Sequence, residues 1–296
     1  MRGRRWALPA LVAALLALAA LATGCERRSD AAPEAGEPAA ALVATAGYGE
    51  EELLAARVPA GDSLMRALRG ATDVDTMYGG GFVASMLGHT SDAGAQEDWF
   101  FFVDGVSSPV GAKDVTVRDG QDVWWDFRDW GALIDTPAVV GAWPEPFTGP
   151  PVAADPPLAA ALEAAGADLV EGDTPWRVVV GASDDLARRE PAWRRALGEP
   201  DAAGLTVAVE DGAITALGPG GAPREAVPGA RALVAAVATG TEPSDGVTLV
   251  VAGLDAAAAR AAAEAVAAEP AILARRYAVA FDGAGTPLRA GGRDGP

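Results

Sequence analysis

The chain has few of the residues on which most metal and nucleophilic sites depend. Among its 296 residues there are one cysteine, one histidine and one lysine. A single cysteine excludes an intrachain disulfide, and metal clusters need His or Cys partners that are missing here. The sequence contains no Gly-x-Ser-x-Gly elbow, and a Ser-His-Asp site would have to recruit His89 from a glycine-flanked, solvated loop. No spacing singles out a catalytic carboxylate pair, so we expect a non-enzyme without catalytic residues, metal or cofactor.

Positive charge is also scarce. The chain has 23 Lys and Arg against 41 Asp and Glu, for a net charge of −18. This balance argues against nucleic acid, since such binding depends on basic side chains that meet phosphates, and against a surface patch for anionic lipids. Half of the residues are hydrophobic, so the chain can bury a sizeable core. Its length is enough for about two domains of ~150 residues each.

The N-terminus reads as an export signal with an anchor. Three arginines are followed by an apolar run from Trp6 to about Ala22, which closes on Gly24-Cys25, the order of a secretory signal. A cysteine after small residues resembles the lipobox of bacterial lipoproteins, with Ala22 where Leu is usual. The resemblance implies that residues 1–24 are removed and that Cys25 is lipidated. An uncleaved membrane anchor is the alternative, and both readings export the rest of the chain.

The expected mature protein would be lipid-anchored to the outer face of the bacterial cytoplasmic membrane. Loss of residues 1–24 removes three arginines and no acid, so its charge becomes −21. Residues 25–40 are rich in Ala, Pro and acidic residues. Such a segment has little to bury, and it predicts a disordered tether.

Residues 41–136 carry the pattern of a first folded domain. Two short strands are predicted on either side of Gly47–Gly49, followed by a short helix that Asp62 or Ser63 can cap and Gly70 ends. A strand over DWFFFV precedes the turn signal Asp104-Gly105. Residues 113–130 are predicted to form a hairpin with Asp119-Gly120 at its tip. This order indicates an α+β fold of the β-grasp, ubiquitin-like type, with the helix across one sheet face.

A series of motifs in this domain resembles a known family. In order they are VPAGDSLMRAL, YGGGFVASMLG, DWFFFVDG and GAKDVTVRDGQDVWWDF. Over residues 41–130 the series resembles the transcobalamin C-terminal-like domain family, a β-grasp domain of unknown function. The chain departs from the family pattern at Asp104, Gln121 and Phe127. The resemblance implies a domain that covers a ligand, with cobalamin (a corrinoid) or another bulky, partly apolar molecule as the candidate.

The aromatic residues of this domain exceed what one core face can use. Alternate side chains of a strand point to opposite faces, and both faces of DWFFFV and of the final strand carry aromatics. One set must pack on the helix. The hypothesis of function is that the surplus forms a ligand platform, with Tyr78, Phe82, Phe100, Phe102 and Trp124 as the predicted ligand-binding residues. Alternatively, the surplus packs under loops or against the second domain, or serves a protein partner in the cell envelope.

The remainder of the chain predicts a linker and a second domain. Residues 137–157 hold seven prolines and predict an extended connector, which Trp143 and Phe147 can pin to a domain surface. Residues 158–292 predict an α/β domain. Within it, residues 177–221 match residues 248–292 at fifteen of 45 positions, each copy reading as a strand, a helix begun near Asp184 or Asp255, and a hairpin. Residues 230–240 between the copies are predicted to be a further helix.

The lipid anchor leads to a direct prediction. Cys25→Ser should leave an unprocessed precursor or release the protein from membranes, because no thiol remains to carry the lipid. Fractionation and the mass of the product check this. Normal processing and normal membrane recovery of the variant would contradict it.

Overall fold

The computed structural model describes residues 33–288, apart from 132, 134, 135, 219–221, 241 and 242. Within this part the protein has a mixed α+β structure with five helices and four sheets. The predicted signal peptide, Cys25, and the C-terminal ends of the two matched segments, residues 219–221 and 289–292, lie outside the described residues. No helix in the described part is long and apolar enough to cross a membrane.

The first half contains one helix, a five-stranded sheet and a smaller three-stranded sheet. Its elements are β1 (Ala39–Ala46), β2 (Glu51–Pro59), α1 (Leu64–Ala71), β3 (Val74–Met77), β4 (Phe82–Met86), β5 (His89–Thr90), β6 (Glu97–Val103), β7 (Val106–Ser107) and β8 (Asp122–Asp129). The larger sheet has the order β2-β1-β8-β6-β7, and the smaller one β3-β4-β5. The β1 and β8 strands pair in parallel at the centre, and the other neighbours of the larger sheet are antiparallel.

Helix α1 covers one face of the five-stranded sheet. The Ser63 side chain accepts a hydrogen bond from the Arg66 N–H and so caps the helix. The helix continues one residue past Gly70, to Ala71, so the predicted stop at Gly70 is wrong by one position. Leu64 and Leu68 share its buried side and pack in one core with the sheet residues Leu42, Val123, Trp125 and Phe127.

The predicted hairpin over residues 113–130 is wrong in its first arm. Within residues 113–130 only β8 is a strand of the larger sheet, and residues 115–117 instead bond to residues 62–64 at the start of α1. The Leu64 N–H donates to the Val115 carbonyl at 2.8 Å, and the Val117 N–H donates to the Asp62 carbonyl at 2.9 Å. Local alternation of Val and polar residues was the same for either partner, so the sequence pattern could not distinguish them.

The second half is built on a seven-stranded sheet. Its elements are β9 (Pro151–Ala154), α2 (Leu158–Ala164), β10 (Asp168–Leu169), β11 (Arg177–Ala182), α3 (Ser183–Arg189), α4 (Pro191–Gly198), β12 (Val207–Glu210), β13 (Ala213–Leu217), β14 (Pro223–Ala226), β15 (Ala232–Ala238), β16 (Val247–Gly253), α5 (Ala256–Ala268), β17 (Ala278–Phe281) and β18 (Pro287–Leu288). The sheet order is β10-β9-β11-β16-β15-β17-β18, and β12-β13-β14 form a separate sheet. Thus β9, within the predicted connector, belongs to this sheet.

Both faces of the seven-stranded sheet are covered. Helices α2 and α5 pack on one face together with Trp143 and Phe147, and α3, α4 and β12–β13 pack on the other. The predicted helix over residues 230–240 is wrong, because this segment is β15, between β16 and β17. A strand that is buried on both sides lacks polar alternation, so its apolar run looks like a buried helix.

The two predicted repeat copies agree at their first strands. Strands β11 and β16 are parallel neighbours, with Val179 opposite Val250 and Val180 opposite Val251, the same pairs as in the sequence match. Beyond these strands the copies differ. The first copy has two helices, α3 and α4, where the second has α5 alone, and of the two hairpins β12–β13 and β17–β18 only the latter joins the seven-stranded sheet. Asp255 caps α5, whereas Asp184 lies inside the first turn of α3 and caps nothing. The repeat stays a prediction.

A buried polar contact joins the two halves on the second face of the five-stranded sheet. The Asp126 carboxylate on β8 accepts hydrogen bonds from Thr45 Oγ1 at 2.6 Å and from the Tyr277 hydroxyl at 2.8 Å. Close by, the Arg275 guanidinium bonds to both oxygens of Asp122, at 2.6 and 2.9 Å. We use the term junction for Asp122, Asp126, Arg275 and Tyr277 together with the rings of Phe102 and Trp124 that pack on Tyr277.

Glycine at two positions allows the halves to come this close. A Cβ on Gly49 would lie 2.1 Å from the Arg275 carbonyl oxygen, and one on Gly141 would lie 2.8 Å from the Trp124 ring. Neither approach is possible for a larger residue without backbone movement. The Gly49 N–H also donates to Asp126 at 3.2 Å, so the same turn helps to satisfy the buried carboxylate.

The burial of Asp126 predicts a pH-dependent stability. Desolvation raises the pKa of this carboxyl above 3.8, while the hydrogen bonds from Thr45, Tyr277 and Gly49 oppose the rise. The folded state therefore binds this proton more tightly than the unfolded chain does. As a result, the free energy of unfolding falls as the pH rises from the ordinary pKa of the unfolded carboxyl through the raised pKa of the folded one. Asp126→Asn should remove this fall. Denaturant titrations across pH check it, and an unchanged pH dependence in the variant would contradict it.

Candidate functional site

The predicted aromatic platform is buried in two of its members. Phe102 and Trp124 are each 1% exposed, and the Tyr277 ring lies 5.7 Å from the first and 5.3 Å from the second, both edge-on. Val139 completes the cluster. The expectation that these two residues form an open platform is therefore wrong. Packing against the second half, the alternative that the sequence left open, is what the structure shows.

Phe100 is half-buried, and its ring is already in contact with a cation. The Arg128 guanidinium lies 3.9 Å from the ring centroid, within the range of a cation–π interaction. Arg128 also donates to the Leu133 carbonyl. Phe100 therefore belongs to the packed layer beside the junction and presents little free surface to a ligand.

Tyr78 and Phe82 are the predicted residues that the structure leaves open. They are 79% and 58% exposed, and their rings meet edge-on with centroids 5.7 Å apart. We call them the aromatic pair. Large aromatic side chains contribute much to binding when a partner removes them from water. Two exposed aromatic rings in contact therefore form a candidate binding surface.

The loop that holds the aromatic pair has an unusual backbone. Tyr78 has φ +51°, and Gly79 and Gly80 follow with +72° and +86°. A Cβ on either glycine would meet nothing, so glycine is required there by the backbone conformation and not by crowding. A non-glycine residue in the left-handed region costs on the order of 1–3 kcal/mol, and such strain concentrates at functional sites.

A groove of about 460 Å³ lies beside the aromatic pair. Its lining residues are Ser63, Met65, Arg66, Arg69, Gly79, Gly80 and Lys113. Gly111 packs directly on Gly81, because a Cβ on Gly111 would lie 3.0 Å from the Gly81 carbonyl oxygen. This contact holds the segment that carries Lys113 against the loop of the aromatic pair. Val110, which precedes this contact, is 49% exposed. Ligand pockets in proteins commonly have volumes of roughly 300–1,000 Å³, so the groove has room for a small molecule.

A second cavity, of about 600 Å³, lies at the amino ends of β11 and β16. Its buried charge is Glu190, which pairs with Arg177 at 3.2 Å and with Arg189 at 3.3 Å. Arg189 in turn pairs with Asp155 at 2.8 Å. Because these charges neutralise one another, they are accounted for as a structural network at the break between α3 and α4.

Two comparisons with known proteins each match part of the chain. The profile of DUF4430, a domain of unknown function, matches residues 61–129. Residues 61–129 form a DUF4430 domain. Among solved structures, a protein from Ruminococcus gnavus ATCC 29149, described provisionally as metal-binding, is similar at 18% identity over 31% of this chain and 98% of its own, with a TM-score of 0.28. No curated protein matches.

The DUF4430 domain contains the aromatic pair and every residue that lines the groove. It also contains Phe100, Phe102 and Trp124, whereas Tyr277 and Val139, which cover the last two, come from outside it. In the described residues, no group of three or more His, Cys, Asp and Glu could hold a metal ion. His89, predicted to be a solvated loop residue, is half-buried in β5 with its ring 4.8 Å from that of Phe127.

The two kinds of aromatic position should differ in their contribution to stability. Trp124→Ala removes a fully buried ring and its hydrogen bond to Thr45, and should lower the free energy of unfolding by about 3–5 kcal/mol. Phe82→Ala, the matched change at an exposed position, should stay within about 0.5 kcal/mol of wild type. Urea titrations measure both. Equal losses at the two positions would contradict the assignment of buried and open faces.

Proposed function

We propose that this protein is an exported, lipid-anchored binding protein without catalysis, which takes a bulky, partly apolar small molecule on the aromatic pair. The observation that supports the proposal most strongly is the exposure of Tyr78 and Phe82 beside a groove of about 460 Å³. The glycine-supported loop holds both rings out from the domain, where an apolar face of a ligand can cover them. The anchor itself rests on the sequence pattern that ends at Cys25.

The DUF4430 domain, extended by β1 and β2, is in our proposal a β-grasp of the transcobalamin C-terminal-like type. The support is the sheet order β2-β1-β8-β6-β7, its parallel central pair, and the single helix on one face. A corrinoid is the first ligand to test because of that resemblance. We also infer that residues 177–221 and 248–292 are diverged copies, since β11 and β16 pair with the sequence match in register.

A protein partner in the cell envelope is the second candidate for the same surface. The observation in its favour is the high exposure of Tyr78, because an extended partner covers a protruding ring more easily than a small molecule does. Only the first candidate function requires that a small molecule binds, so one titration with a small molecule separates the two candidates.

Equilibrium dialysis of the purified chain against cyanocobalamin tests the first candidate. We expect saturable binding that Tyr78→Ala and Phe82→Ala each weaken roughly tenfold, the effect of losing a contact of about 1.4 kcal/mol. Leu169→Ala is the matched control, because Leu169 is an exposed apolar residue on β10. Absence of binding would rule out a corrinoid and favour the protein partner. Binding that neither aromatic variant weakens would place the ligand elsewhere.

A further inference from the structure

The groove beside the aromatic pair concentrates positive charge on a strongly acidic protein. Arg66, Arg69 and Lys113 all line it, although acids outnumber bases 41 to 23 in the chain. Lys113 is the one lysine in the sequence. Three cations at one groove are unexpected on a surface where acidic residues predominate, so the groove differs in charge from the protein as a whole.

The three cations converge from two segments. Arg66 and Arg69 are three residues apart on α1, which places them on neighbouring positions of one helix face. Lys113 comes from the segment after β7, and its Cδ and Cε atoms pack at the Gly81 backbone, 3.8 and 3.6 Å from the position of a Cβ on that glycine. The lysine stem is thus held against the loop of the aromatic pair, a common arrangement in which the ammonium group remains in water.

Internal partners use few of the available donors. Arg69 donates to Thr76 Oγ1 at 2.9 Å, and the Arg66 Nε lies 3.8 Å from an Asp62 oxygen. Within the described residues, Lys113 has neither a hydrogen bond nor an ion pair. Each guanidinium has five N–H donors and an ammonium has three, so most donors at this groove are free to bind an anionic oxygen.

We propose that Arg66, Arg69 and Lys113 bind an anionic group of the ligand, a phosphate ester or a carboxylate, while the apolar part of the same ligand covers Tyr78 and Phe82. This inference rests on the proposed function, because it places the anion beside the aromatic pair. Guanidinium groups match both anions with paired hydrogen bonds, and an ammonium adds a point charge. The ligand class is therefore an amphipathic small anion with a bulky apolar part.

Three probes with one ring system separate the two parts of the ligand. They are 1-naphthyl phosphate, 1-naphthoate and the neutral 1-naphthalenemethanol, each titrated calorimetrically into the full chain. We expect at least one anionic probe to bind about tenfold more tightly than the neutral probe at low salt, and the difference to shrink as salt screens exposed charges. The ranking of phosphate against carboxylate identifies the preferred anion.

Variants assign the preference to the groove. Arg69→Gln combined with Lys113→Gln should abolish the advantage of the anionic probes and leave the affinity for the neutral probe within about twofold. Arg194→Gln, at an exposed position on α4, is the control and should change neither. Circular dichroism of each variant verifies folding.

The outcomes distinguish this inference from the proposed function. An anion preference that survives the double variant, or no preference at all, would overturn the inference even where Tyr78→Ala weakens the neutral probe. Anionic binding that depends on Lys113 while no probe responds to Tyr78→Ala or Phe82→Ala would uphold the charge site and overturn the aromatic one. Failure of all three probes to bind would overturn both.

Discussion

The contact between Asp126 on β8 and Tyr277 before β17 is the constraint on which the rest of the structure depends. It places a carboxylate among aromatic rings, where burial is costly unless every oxygen is satisfied, and three hydrogen bonds from Thr45, Gly49 and Tyr277 supply that satisfaction. Burial also raises the pKa of the Tyr277 phenol, so the hydroxyl remains a donor. Because the geometry needs both halves, neither half can complete this contact alone.

The junction limits the aromatic surface that is open to the proposed ligand. One face of the five-stranded sheet is covered by α1, and the other is closed over Phe102 and Trp124 by Val139 and Tyr277. Both faces of the five-stranded sheet are thus covered around these residues, and the aromatic platform that the strand pattern predicts has no open face there. Exposed aromatic surface remains on the loop of Tyr78 and Phe82, at the end of the domain where α1 and Lys113 contribute the groove.

Local signals were enough to predict several elements. The Ser63 cap, the apolar side of α1, and the Asp104-Gly105 turn, whose two residues both have positive φ, follow from short stretches of sequence, and each is confirmed. The sequence predicts one ligand-binding set that joins Tyr78 and Phe82 to Phe102 and Trp124, since a motif does not tell which ring is covered. The cover, Tyr277, is separated from Asp126 by 151 residues, and a contact of that range leaves no local pattern. The helix predicted over residues 230–240 is wrong because β15 is buried on both faces and so lacks polar alternation.

Hydroxyl-radical footprinting of the whole chain, with oxidation mapped by mass spectrometry, tests the central claim most directly. That claim is that the junction buries one aromatic set and leaves the other open. The account predicts strong labelling of Tyr78 and Phe82 and strong protection of Phe102, Trp124 and Tyr277, all compared within the same protein. Labelling of Trp124 or Phe102 at the level of Tyr78 would show an open face on the five-stranded sheet and would contradict the account.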